Sequence, residues 1–364
     1  MSIRSSLLLL SVLSGVVSCS TGQATHASRD FAPQITASID SLFSRFQGQV
    51  PGCSLGVFEH SGRRYLAGFG MANIESHQSI TPQSVFAIAS VSKQFTALSI
   101  LILARQQKLS LDESIRRIIP ELPVSYAPIT LRELLTHTSG LPEYEDIYNR
   151  QGGPDYDSAS RAEQLKAVID TGGPQSLPGT TWQYANTNYL LAAVAVERIS
   201  GQPLSAFSRD QIFIPLGMKQ SNYVASATDN NTLRAIPYQA DDSGAFHATL
   251  YAAHLGPTGV QTSIADLERW AENFYSPKVG DLGLMAELQA QGSLQNGTPI
   301  NSAFGLEHKR LGNYDAILHT GVTIGTRSAF VRFPKYQTTI ALLCNRMDAN
   351  MERLVTQIAD ELFK

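Results

Sequence analysis

Ser90-Val91-Ser92-Lys93 sets a hydroxyl and an amine on one face of a helical turn. A serine there becomes a nucleophile when a neighbouring base takes its proton, and a lysine held in a dry site gives up its own proton near neutral pH. A helix start and the Ser90 N–H would favour negative charge on an acyl oxygen. Further on, Tyr184-Ala185-Asn186 offers a phenol for proton relay and an amide to hold substrate. His319-Thr320-Gly321 reads as a strand end. With no side chain at Gly321 a substrate backbone can approach closely, and the N–H of Val322 would complete an oxyanion hole with that of Ser90. The three motifs together spell acyl transfer through Ser90, with Lys93 and Tyr184 as proton carriers.

Each motif alone has a plainer meaning: a serine cap with a solvated lysine, a buried aromatic beside a capping Asn, a hydrogen-bonded surface His. What lifts them above that is their presence together, in order. One rival nucleophile stands in Gly52-Cys53-Ser54-Leu55-Gly56, which fits a Gly-x-Ser-x-Gly elbow. An elbow needs a strand before the serine and a helix after it, whereas Ser54 falls inside the first strand of a hairpin. The histidines are scattered, with no His-Glu-x-x-His and no tight His/Asp set, so neither a metal nor another cofactor is implied.

The 364 residues are 43% hydrophobic and 16% charged, which suits a globular chain with a sizeable core. A net charge of -3 without a Lys/Arg cluster sets nucleic acid aside as a partner. Residues 1–19 read as an export signal: Arg4, an apolar run from Leu7 to Val17, then Ser18 and Cys19. The run is too short to span a bilayer. Val16-Val17-Ser18-Cys19 also fits a lipobox, which would make Cys19 a lipidation site and the membrane a partner; an ordinary secretory signal is the alternative. Residues 20–29 are polar and small, a tether. Cys53 and Cys344 remain, either bridged in an oxidising compartment or two buried thiols.

Ile35, Ile39, Leu42, Phe43 and Phe46 recur at helical spacing and predict an opening amphipathic helix. Cys53–Glu59 and Arg64–Phe69 flank Ser61-Gly62 as a hairpin; Ile317–His319, Arg327–Phe333 and Thr338–Cys344 read as further strands. A closing helix presents Met351, Leu354, Val355, Ile358, Leu362 and Phe363. Between these ends the chain is mostly helical: an apolar stretch Ala97–Ala104, a capping box opening at Thr130, a helix Thr187–Ser200 closed by Gly201, and a helix capped by Ser263. The expected fold is therefore α/β (α+β): an antiparallel sheet with terminal helices and a helical insert at about 106–254, in one domain spanning 30–364.

With these residues in view, the chain resembles the serine β-lactamase and penicillin-binding-protein superfamily in its class C β-lactamase-like branch. Beyond the three motifs, the likeness includes Leu134-Leu135-Thr136-His137-Thr138-Ser139-Gly140-Leu141-Pro142, Ile214-Pro215-Leu216-Gly217-Met218, Thr262-Ser263-Ile264-Ala265-Asp266-Leu267 and Cys344-Asn345-Arg346. The resemblance implies that Ser90 forms an acyl-enzyme, that Lys93 and Tyr184 shuttle its proton, and that Asn186 hydrogen-bonds substrate amides. It also implies that Tyr144 lines the mouth of the site and that the first and last strands pair, bringing Cys53 towards Cys344. His319 stands where most β-lactamases of the family carry Lys, and His-Thr-Gly occurs among its D,D-carboxypeptidases, D-amino-acid peptidases and esterases. The expected activity is thus a D,D-carboxypeptidase, D-amino-acid peptidase or esterase of the cell envelope, with a class C β-lactamase or a non-catalytic peptidoglycan-binding sensor as alternatives. An imidazole titrating near its ordinary value of about 6.5 would make carboxylate-bearing substrates bind less well as pH rises from about 6 to 8.

Overall fold

The structure, a computed structural model, describes residues 25–146, 159–225, 231–250 and 253–364. Leu7–Val17 and Cys19 lie outside the described residues, and among those described no helix is long and apolar enough to cross a membrane. Seven antiparallel strands form the main sheet in the order Thr25–Arg29, Arg64–Phe69, Cys53–Glu59, Thr338–Cys344, Thr326–Phe333, Tyr314–Thr323, Glu307–Leu311. Chain ends thus meet at its centre, Cys53 opposite Cys344.

Both faces are covered, so alternate residues of the central strands enter different cores. Leu55, Val57, Ile340 and Leu342 face the terminal helices Pro33–Leu42 and Met351–Leu362. Phe58, Ala341 and Leu343 face the helical half. This double burial explains why Thr338–Cys344 shows no polar alternation: all seven residues are buried. Cys53 and Cys344 are joined by a disulfide, their Cα atoms 4.0 Å apart.

One boundary differs from expectation. Thr25–Arg29, expected within the tether, is an edge strand paired with Arg64–Phe69. Such an edge is held by main-chain hydrogen bonds, which need no apolar alternation and leave no pattern to read.

The helical half centres on Lys93–Arg105, buried from Lys93 through Leu103 and packed against Asn186–Ser200. Thr130 opens Leu131–Leu135 with a capping box, and Gly201 ends Asn186–Ser200 in the left-handed conformation. Ser263 caps Ile264–Asn273, whose apolar face closes over the sheet. The half extends through Leu282–Leu288, beyond the expected insert, before the chain re-enters the sheet at Glu307.

Candidate active site

The chain reaches Ser90 through a strained turn. Ala89 holds φ at 46°, left-handed for a residue with a Cβ, and Ala89–Ser92 then form one 3₁₀ turn ahead of the helix that starts at Lys93. In a 3₁₀ turn residues i and i+3 eclipse, so Ser90 and Lys93 point the same way. Ser90 Oγ lies 3.1 Å from Lys93 Nζ. Ser90 is half-buried beside the fully buried Lys93, which leaves the nucleophile the more open of the two.

Lys93 Nζ has two further partners, Asn186 Oδ1 and the Pro257 carbonyl, both at 2.9 Å. Burial drives its ammonium down to about 7, against the opposing pull of Glu143, Glu145 and Glu307. The neutral amine has two hydrogens and one lone pair. Asn186 Oδ1 and the Pro257 carbonyl can only accept, so they take the two hydrogens and the lone pair is left facing the Ser90 hydroxyl. That is the geometry of a general base.

Tyr184 donates its hydroxyl to Ser90 Oγ at 2.9 Å from the other side. Burial pushes this phenol up from its ordinary range, and its ring lies against His137, centroids 4.5 Å apart. Tyr184 therefore keeps its proton in the resting site, which suits it to act as an acid and leaves Lys93 placed to act as the base.

His319 differs from expectation. It is buried, and its Nδ1 donates to the Thr320 carbonyl at 2.6 Å, which fixes the tautomer. Burial, reinforced by the nearby Lys93, lowers its imidazolium to about 3. Burial thus favours the neutral ring from pH 6 to 8, against the expected titration towards substrate carboxylates.

Gly321 has a tighter reason than substrate approach. A Cβ there would lie 2.3 Å from both the Ile88 carbonyl and Ser328 Oγ, so the glycine lets the strand sit directly against the Ser90 turn. Pairing with Glu307–Leu311 ends at Leu318. From His319 through half-buried Thr320 and exposed Val322, that edge has no strand partner among the described residues.

Tyr144 does not line the mouth. It is fully buried, bonded through its hydroxyl to His254 and through its N–H to Thr187 Oγ1 at 2.9 Å. Its neighbours face the site instead. Glu143 Oε2 accepts from the Asn186 N–H at 2.6 Å, supplying the cap that Ala185 cannot give Asn186–Ser200, and Glu145 Oε1 accepts from Asn186 Nδ2 at 3.2 Å. Burial and the adjacent Glu143 push Glu145 up to about 8, so near pH 7 it is mainly the neutral acid and accepts through its carbonyl oxygen. These two acids, with His137, Pro257 and Glu307, are the site residues that motif reasoning missed. Three acids within four residues directly after Leu141-Pro142, namely Glu143, Glu145 and Asp146, were the available signal. Ser54 is fully buried with Oγ on the Thr81 carbonyl, which excludes it as nucleophile.

The family model described as Beta-lactamase matches residues 39–363. The chain belongs to that family. It is 26% identical over 318 residues to penicillin-binding protein 4* of Bacillus subtilis, covering 82% of this chain and 69% of that protein. To the D-aminopeptidase of Gluconobacter oxydans it is 24% identical over 323 residues, covering 88% of this chain but only 60% of that protein. Its fold matches the octameric penicillin-binding protein homologue of Pyrococcus abyssi with a TM-score of 0.78 at 22% identity, over 91% of this chain and 77% of that one.

Proposed function

We propose that the protein is a D-amino-acid peptidase or esterase working through an acyl-enzyme on Ser90. The general chemistry is serine hydrolysis of amides or esters, as befits the family. One observation carries the finer reading: Lys93 is set as a neutral base towards Ser90 while His319, beside it, is an uncharged ring. The cation that most β-lactamases of the family hold at the His319 position is absent, which favours peptide and ester substrates over β-lactams.

Ser90 gives its proton to Lys93 as its oxygen attacks the acyl carbon. Tyr184 passes its proton to the departing amine or alkoxide and is reprotonated from Lys93, and a water repeats the sequence to release the acid. The Ser90 and Val322 N–H groups hold the oxyanion, Thr320 and Gly321 form the edge along which substrate lies, and Asn186 donates to the substrate amide. We further place the protein in the cell envelope, exported and lipid-anchored at Cys19, a reading supported by the lipobox and by a disulfide suited to an oxidising compartment.

The test is a turnover screen of D-amino-acid amides, D-Ala-D-Ala peptides, p-nitrophenyl esters and a chromogenic cephalosporin, with Ser90→Ala as control. Esters or D-amino-acid amides should turn over fastest. A cephalosporin hydrolysed far faster than all of them would return the assignment to a β-lactamase, and acylation without any turnover would favour the sensor.

A further inference from the structure

The side-chain amide of Asn186 has two nearly isosteric ends, and only one orientation leaves Lys93 able to act. With Oδ1 towards Lys93, as found, the lysine spends a hydrogen on Asn186 and keeps its lone pair for Ser90. Turned over, Asn186 would aim Nδ2 at Lys93 and donate into that lone pair, occupying the electrons that must accept the serine proton. Among the described residues, the side-chain contact favouring the productive orientation is Glu145 Oε1 on Nδ2, at 3.2 Å. Glu143 does not substitute, because its bond is to the Asn186 main chain.

We propose that Glu145 is a positioning residue for acylation, holding the Asn186 amide so that its oxygen faces Lys93 and its second N–H stays free for the substrate carbonyl. Glu145 acts through Asn186 and touches neither Ser90 nor Lys93 by a hydrogen bond. The groups around Lys93 that bear charge or titrate are Glu143, Glu145 and Glu307, with His137, His319 and the phenols of Tyr184 and Tyr189 held neutral by burial. The role of Glu145 depends on its acceptor oxygen, which both its neutral and its ionised forms possess.

The inference rests on the serine-hydrolase reading but not on the natural substrate, so the primary readout is the rate at which a fluorophosphonate modifies Ser90 in the whole protein. Glu145→Ala should slow labelling about tenfold, the effect of one lost hydrogen bond at a reacting centre. Glu145→Gln, which keeps an acceptor oxygen, should stay within about threefold of wild type. In an Asn186→Ala background, Glu145→Ala should cost less than about twofold further, because a residue acting only through Asn186 has nothing left to orient. Melting temperatures of all variants separate loss of fold from loss of positioning. Additive effects of the two alanine substitutions, or a Glu145→Ala protein that folds and labels at the wild-type rate, would overturn the proposal. Absence of turnover in the substrate screen would count against the proposed function alone.

Discussion

On one face of the sheet, two amphipathic helices from the chain ends lay an apolar stripe over Leu55, Val57, Ile340 and Leu342, and a disulfide ties the central strands. On the other, a buried lysine, three carboxylic acids raised by burial and two neutral histidines gather around one half-buried serine. The first face is made of groups that gain by leaving water. The second holds groups that lose by it, and their altered proton affinities are what chemistry at Ser90 draws on. The reacting groups are therefore confined to one side of the strands, where they are set into a second apolar core of that half.

The comparison breaks most sharply at Ser90. Ser90→Ala should lower turnover by about a thousandfold or more while leaving the melting temperature within a few degrees of wild type. Unchanged turnover would move the nucleophile elsewhere.

Lys93→Met should show the opposite signs in rate and stability. Loss of the base should reduce turnover by about a hundredfold or more. Because the buried amine has its proton affinity lowered from 10.5 to about 7, the unfolded chain binds more protons than the native one across that interval, and native stability rises with pH there. The cost of burial is fully present below the interval. Lys93→Met should thus be more stable than wild type at pH 6, by on the order of 2 kcal/mol, with the advantage shrinking towards pH 10. Denaturant titrations at both pH values provide the measurement; an advantage that grows with pH would contradict the neutral-base geometry.

Replacing both Cys53 and Cys344 by alanine should cost about 2–4 kcal/mol of unfolding free energy. At a temperature where the variant is folded, kcat should be unchanged, because the bridge lies in the core of the terminal-helix face. A large fall in kcat would show that the two faces are coupled.

The smallest effect concerns His319. Its imidazolium is lowered to about 3, so KM for carboxylate-bearing and uncharged substrates should show the same profile between pH 6 and 8. A carboxylate-specific rise in KM across that range would mean that the ring is far more solvated than its burial indicates.

How legible each face was in the sequence follows from the same division. The strands Cys53–Glu59, Arg64–Phe69 and Thr338–Cys344 carry short apolar runs bounded by turn signals, and the helix beginning at Met351 carries its own period and cap, all of which act within a few residues. Ser90, Lys93, Tyr184 and Asn186 were legible because their order is that of a family. Glu143 and Glu145 were not, since their roles depend on a contact with Asn186 across more than forty residues. Tyr144 shows the same limit: in a short non-repeating segment, which of three neighbouring side chains turns inward is decided by the packing partner, here His254. The proton affinity of His319 was misjudged because the strand was expected to end there, whereas it runs on to Thr323 and holds the ring buried within it.

The bridge between Cys53 and Cys344 has a mechanical meaning as well. The two cysteines are 291 positions apart in the chain. If the molecule is pulled by its two ends, tension entering at the amino-terminal side passes through the sulfur atoms to the last strand and leaves by the closing helix. Everything between, including the Ser90 turn and the helices that hold it, forms a covalent loop that carries none of the load. Stretching would peel Thr25–Arg29 and unseat the terminal helices first, with the reacting groups slack inside a closed ring.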